Sequence, residues 1–176
     1  MTIKVALTNL GKYNEGELVY EWIELPASED EIDAVMERIG IDGEEYEEYF
    51  ISDYEAPFHI KEYVSVTHLN EIAEALEELD EYEMYGFEAY IDQYGNRYLG
   101  DIEDAIEFAT SGEHYVLDGC YDMVDVAYEL IEQGYLFEGV DEQVLRYIDY
   151  EKLGRELDFE STFVFLDNGI CVEILN

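Results

Sequence analysis

Apolar positions along the chain fall into short runs with two different periods, and together they predict a mixed α+β protein. Residues 3–8 form a short, mainly apolar run that predicts a strand. A turn-rich segment covers 9–16. Within 17–25, Leu18, Tyr20 and Trp22 recur at period two and predict a second strand, ended by Pro26. Ser28 and Glu31 have the spacing of a capping box. Behind them Ile32, Val35, Met36 and Ile39 form one helical stripe that Gly40 stops. An acidic loop over 42–48 leads to a third predicted strand over 49–54, so residues 1–60 predict a small β-β-α-β domain.

Pro57 marks a boundary. Beyond it Leu69, Ile72, Ala73, Leu76 and Leu79 follow i, i+3, i+4, i+7 spacing and predict a helix from His68 to about Met84. A second helical piece over 87–94 stops at Gly95, and a third starts near Asp101, a capping residue. Residues 61–111 therefore predict a mainly helical domain. In the last third, 114–117 is a strand candidate. Asp122 caps a helix carrying Val124, Val126, Ala127, Leu130 and Ile131, which Gly134 ends. Two short helices cover 141–157. The runs 162–166 and 170–175 flank Asp167-Asn168-Gly169, a hairpin signal. Residues 112–176 predict a mixed α+β domain. The expected fold is α+β, an elongated subunit of three small domains in series.

Charge changes the picture. The 176 residues carry 46 Asp and Glu against eight Lys and Arg, a net charge of -38. Low hydrophobicity usually accompanies such charge in disordered chains, but here 48% of residues are hydrophobic and 15% aromatic, enough to bury a core. With eight bases, most carboxylates have no cation within the chain. Repulsion on this scale opposes compactness, and elongation relieves it. Duplex DNA has a comparable density, one charge per ~1.7 Å, so 38 charges match ~65 Å of duplex, and a twofold pair of chains ~130 Å. The reading that follows is imitation of DNA. Partners are then basic, neither nucleic acid nor membrane. The opening segment has no apolar h-region or cleavage pattern, and no run approaches the ~20 residues of a membrane span, so the expected location is cytoplasmic. Cys120 and Cys171 read as two buried thiols of a reducing compartment.

Two acidic clusters are the candidate partner-binding surface. On the helix from His68, Glu71, Glu74, Glu77, Glu78 and Glu81 make a polar face with no interleaved Lys or Arg. Like charges at i, i+4 cost a few tenths of a kcal/mol per pair, while four residues advance ~6 Å, on the scale of nucleotide steps. The loop carrying Asp42, Glu44, Glu45, Glu47 and Glu48 surrounds Tyr46 and Tyr49. Neither this loop nor the run 118–125 has calcium-loop spacing. His59, His68 and His114 lack zinc spacing. There is no nucleophile elbow, and the GKYNEG segment at Gly11 lacks the phosphate-loop signature. No metal, no cofactor and no catalytic residue are expected, and the chain does not read as an enzyme. Tyr82 and Tyr85 place amphipathic rings among carboxylates, suited to a cleft rich in Arg and Lys.

Three segments carry a resemblance. ALTNLGKYNEGELVYEWIELP (6–26), EEYEEYFISDYE (44–55) and LNEIAEALEELDE (69–81) closely resemble the ArdA antirestriction proteins of conjugative plasmids and transposons. The resemblance implies a DNA mimic that inhibits type I restriction–modification enzymes, occupying the groove formed by specificity and methyltransferase subunits and so protecting incoming mobile DNA. It also implies elongated three-domain subunits that pair as a homodimer through the C-terminal domain. Leu69, Asn70, Glu71, Glu74, Glu77, Glu78 and Asp80 correspond to that family's antirestriction motif. Two other classes compete: an acidic adaptor or chaperone for a basic partner, and a halophile-type acidic domain, against which the aromatic richness argues.

Overall fold

Strand β1 (Ile3–Asn9) is the centre of a three-stranded antiparallel sheet, paired with a strand on each edge and turning Ile3, Val5 and Leu7 to one face. A computed structural model describes residues 2–95 and 97–175, leaving Met1, Asn96 and Asn176 outside the description. After β1 comes a single-turn helix α1 (Leu10–Asn14), inside the segment that reads as turn-rich, capped by the Asn9 side chain on Lys12 N. Strand β2 (Tyr20–Leu25), helix α2 (Glu29–Ile39) and strand β3 (Tyr49–Glu55) follow, giving the order β2-β1-β3. Ile3, Val5 and Leu7 are fully buried, with Ile23, Leu25 and Ile51 on the same face. α2 contributes Val35 and Ile39 to this core, and α3 (Val66–Glu78) contributes Leu69, Ile72 and Leu76.

The capping box at Ser28 and Glu31 and the left-handed Gly40 at the other end of α2 form as their sequence predicts. The phase of β2 is less obvious. Its alternation is real, but Tyr20 and Trp22 point outward while Ile23 and Leu25 make the core.

The long helix expected from His68 to Met84 is two helices. α3 ends at Glu78, and α4 (Glu81–Gln93) starts behind Asp80. Asp80 accepts from Glu83 N at 2.9 Å and Glu83 returns the bond to Asp80 N at 3.0 Å, a second capping box that stops one helix and starts the next. The separate piece expected over 87–94 is the second half of α4. Helix α5 (Leu99–Ser111) begins two residues before Asp101, whose carboxylate reaches back to Tyr98 N.

Strand β4 (His114–Asp118), helices α6 (Met123–Glu132), α7 (Glu142–Leu145) and α8 (Tyr150–Glu160), and strands β5 (Thr162–Phe165) and β6 (Ile170–Ile174) complete the chain. The second sheet has the order β4-β6-β5, antiparallel throughout. Asn168 and Gly169 take the positive φ values that the hairpin connection requires. This sheet is covered on both faces. Val164, Ile170, Val172 and Ile174 pack with Ala89 of α4, and Leu117 and Cys171 pack on the other side with Val126 and Leu130 of α6. β6 is consequently apolar almost without interruption, as a strand buried twice must be.

The packing resolves two compact units where the sequence suggests three domains in series. One comprises Met1–Glu78 with Arg97–Glu103, the other Leu79–Asn96 with Asp104–Asn176. Helix α3 packs on the first sheet and α4 on the second.

Candidate acidic interaction surface

None of the described acidic residues is buried. Glu21, Glu83, Asp101, Asp125, Glu129 and Glu173 are half-buried and all others are exposed. Burying an unpaired carboxylate costs several kcal/mol, and the chain has too few bases to pair them, so folding drives this charge outward. Some of those bases are engaged locally: Arg38 forks onto Glu21 with Nε at 2.9 and 2.8 Å from the two oxygens, Lys4 meets Glu24 at 3.3 Å and Lys152 meets Glu156 at 3.7 Å. The Arg38 guanidinium holds the Glu21 carboxyl below its ordinary range.

On α3 the expected acidic face exists. Glu71, Glu74, Glu77 and Glu78 are exposed, and no base lies in the last turn. Leu69 is fully buried and Asn70 is 8% exposed, so these two motif residues belong to the packing of the helix. Asn70 accepts from Ala27 N at 2.7 Å, pinning α3 to the segment after β2. Its amide donates to Glu74 Oε1 at 2.8 Å. One buried amide thus fixes both the helix and one of its carboxylates. His68 lies within 3.5 Å of Glu71 and 3.2 Å of Glu103. Asp80 and Glu81 are exposed at the start of α4, and Asp80 is committed to its cap. Tyr85 donates to Glu81 at 3.2 Å, while Tyr82 stacks on His114 and donates to its carbonyl.

The acidic loop is built, not loose. Asp42 accepts from the backbone N–H of Glu44, Glu45 and Tyr46 at 2.9–3.1 Å, which keeps its carboxyl below the usual range. Asp42 N and Gly43 N return bonds to Tyr46 O, with Gly43 at φ 75°. The Tyr46 ring lies against Gly11, beneath Lys12, and its hydroxyl donates to Glu15. Glu44, Glu45, Glu47 and Glu48 therefore project from a hydrogen-bonded turn held on α1. Sequence spacing identified the cluster but not this support, whose signal was Asp42 followed by Gly43.

Cys120 and Cys171 are buried and unbridged, and burial pushes their thiols up to about 11 and about 12. Among the described residues no group of His, Cys, Asp and Glu has the arrangement of a metal site, and no helix is long and apolar enough to cross a membrane. No individual curated protein matches the chain. A family model described as antirestriction protein (ArdA) matches residues 5–172, nearly the whole length. The acidic helix and loop lie within that match, and the chain belongs to the ArdA antirestriction protein family.

Proposed function

We propose that the protein inhibits type I restriction–modification enzymes by occupying their DNA-binding groove, between specificity and methyltransferase subunits, and so protects incoming mobile DNA. The observation that carries this reading is the exposure of every described carboxylate but six in a chain of net charge -38. A groove built for phosphates draws much of its affinity from Lys and Arg and from counterion release. Carboxylates fixed on α3 and on the Asp42 turn compete for those cations. No reaction is needed, and no base edges are presented, so inhibition is indifferent to the target's recognition sequence.

The same proposal includes a homodimer formed through the region 112–176. Tyr147 and Phe159 there are 91% and 90% exposed, and Val144 is exposed too, side chains that a twofold contact would cover. Titration of the protein into a purified type I methyltransferase bound to labelled duplex tests the mechanism. Stoichiometric release of the duplex is expected, and a duplex that stays bound at excess inhibitor sinks the proposal.

A further inference from the structure

The two sheets differ in what covers them. The second has helices and loops on both faces, whereas the first meets α2 and α3 on the face of Ile3, Val5 and Leu7. Its opposite face is defined by the register. Glu24, Lys4 and Glu55 form one row across the three strands, Trp22, Ala6 and Asp53 the next, and Tyr20, Thr8 and Phe50 the third. An exposed antiparallel face is ordinarily polar. Here the middle holds Ala6 and Thr8, 1% and 0% exposed, small residues walled in by larger neighbours. Those walls are open to solvent: Tyr20 is 51% and Trp22 41% exposed. Tyr13, also exposed, packs edge-on against Phe50 at 5.2 Å, and Leu18 lies just before β2. Trp22 also lines the mouth of a cleft with Pro26, Val35 and Arg38.

We infer that this aromatic face of the N-terminal sheet is a second docking surface of the inhibitor, for an apolar protein patch rimmed by Lys and Arg on the restriction–modification enzyme; this rests on the proposed function. Charge decides the occupant. Glu24, Asp53 and Glu55 are exposed within the rows of the face, and the one base in those rows, Lys4, is paired with Glu24. A second copy would bring an identical acidic rim against this one. A basic rim with an apolar centre complements it. Tyr and Trp are the residue types that most often dominate interface energies, because they bury large area at small entropic cost. The face thus supplies short-range affinity that phosphate-like charge alone lacks, and its contribution resists salt while that of the carboxylates does not.

The test compares the intact protein with the double variant Tyr20→Ser and Trp22→Ser, in displacement of duplex from the methyltransferase at several salt concentrations. Circular dichroism and sedimentation confirm that fold and oligomeric state are kept. The expected result is about a 30-fold loss of affinity, the size of one interface hot spot, with the salt slope unchanged. Equal displacement by variant and intact protein overturns the inference while leaving the proposed function standing; no displacement by the intact protein removes that function instead. A changed sedimentation state in the variant assigns the face to contact between copies and also overturns the inference. Should the double variant misfold, Trp22 replaced by 7-azatryptophan, which is selectively excited, reports directly. A blue shift and protection from quencher on complex formation are expected, and an unaltered spectrum overturns the inference.

Discussion

Two glycines inside helices show how single residues set the packing. Glycine in a helix interior is less favourable than alanine by roughly 1 kcal/mol, yet Gly154 sits in α8 and Gly86 in α4. A Cβ at Gly154 would lie 2.5 Å from the carbonyl oxygen of Met123, at the start of α6, and one at Gly86 would lie 2.6 Å from the His114 ring. Gly154→Ala pushes against the Met123 carbonyl and Cβ, atoms that cannot swing aside, so a loss of about 2–3 kcal/mol is expected. Urea unfolding measures it, and a neutral result would mean that α6 and α8 shift apart freely. Acid acts on residues as well. Glu31 is held below its ordinary range chiefly by the Ser28 side chain, and Asp42 by backbone N–H groups. Both have folded values lower than unfolded ones, so their contribution is complete above the unfolded values, about 4, and is lost as pH falls through the lowered folded values. Backbone amide signals of Glu44, Glu45 and Tyr46 followed by NMR should shift together in that acid window, and an Asp42→Ala variant should show no such transition.

At the scale of elements, α3 trades stability for charge. Glu74 with Glu78 repel at i, i+4, and Glu77 and Glu78 crowd the negative end of the helix dipole. Replacing Glu71, Glu74, Glu77 and Glu78 together by Gln should therefore raise the unfolding midpoint slightly while weakening inhibition. Fluorescence-monitored melting and the displacement assay give the two signs, and undiminished inhibition by the folded variant removes this helix from the binding surface. Elements were legible from sequence where their determinants are local. Ser28 with Glu31, Gly40, Asp122 and the Asp167–Gly169 connection mark ends that the structure reproduces. The apolar stripe after His68 runs on through Leu79 and so predicts one long helix, and only the Asp80–Glu83 box, two residues without hydrophobic signal, interrupts it. Sheet order and the outward turn of Tyr20 and Trp22 depend on which strand pairs with β1, which no local pattern contains. The interior place of Leu69 is legible in that same apolar stripe, whereas the burial of Asn70 depends on Ala27, a partner distant in sequence.

For the whole molecule, one quantity moves stability and function in opposite directions. At net charge -38, added salt screens repulsion within the fold and also screens attraction to a basic groove. Thermal midpoints should rise from low to moderate salt as the inhibition constant worsens, with log affinity falling linearly against log salt concentration. A midpoint indifferent to salt would mean that the carboxylates are spaced widely enough not to interact. Collapse of the circular dichroism signal in dilute buffer would support the halophile-type reading over recognition.

Several carboxylates have a task besides repulsion. Asp80, Asp122, Asp141 and Asp149 each accept backbone N–H bonds at the first turn of α4, α6, α7 and α8. Asparagine caps a helix about as well as aspartate, whereas alanine forfeits typically about 1 kcal/mol. A discharged counterpart of this protein keeps these bonds where those four sites, together with Glu31, Asp42 and Glu83, become amides and not methyl groups. Such a molecule, alike in outline and stripped of anionic character, would separate what shape accomplishes from what charge accomplishes.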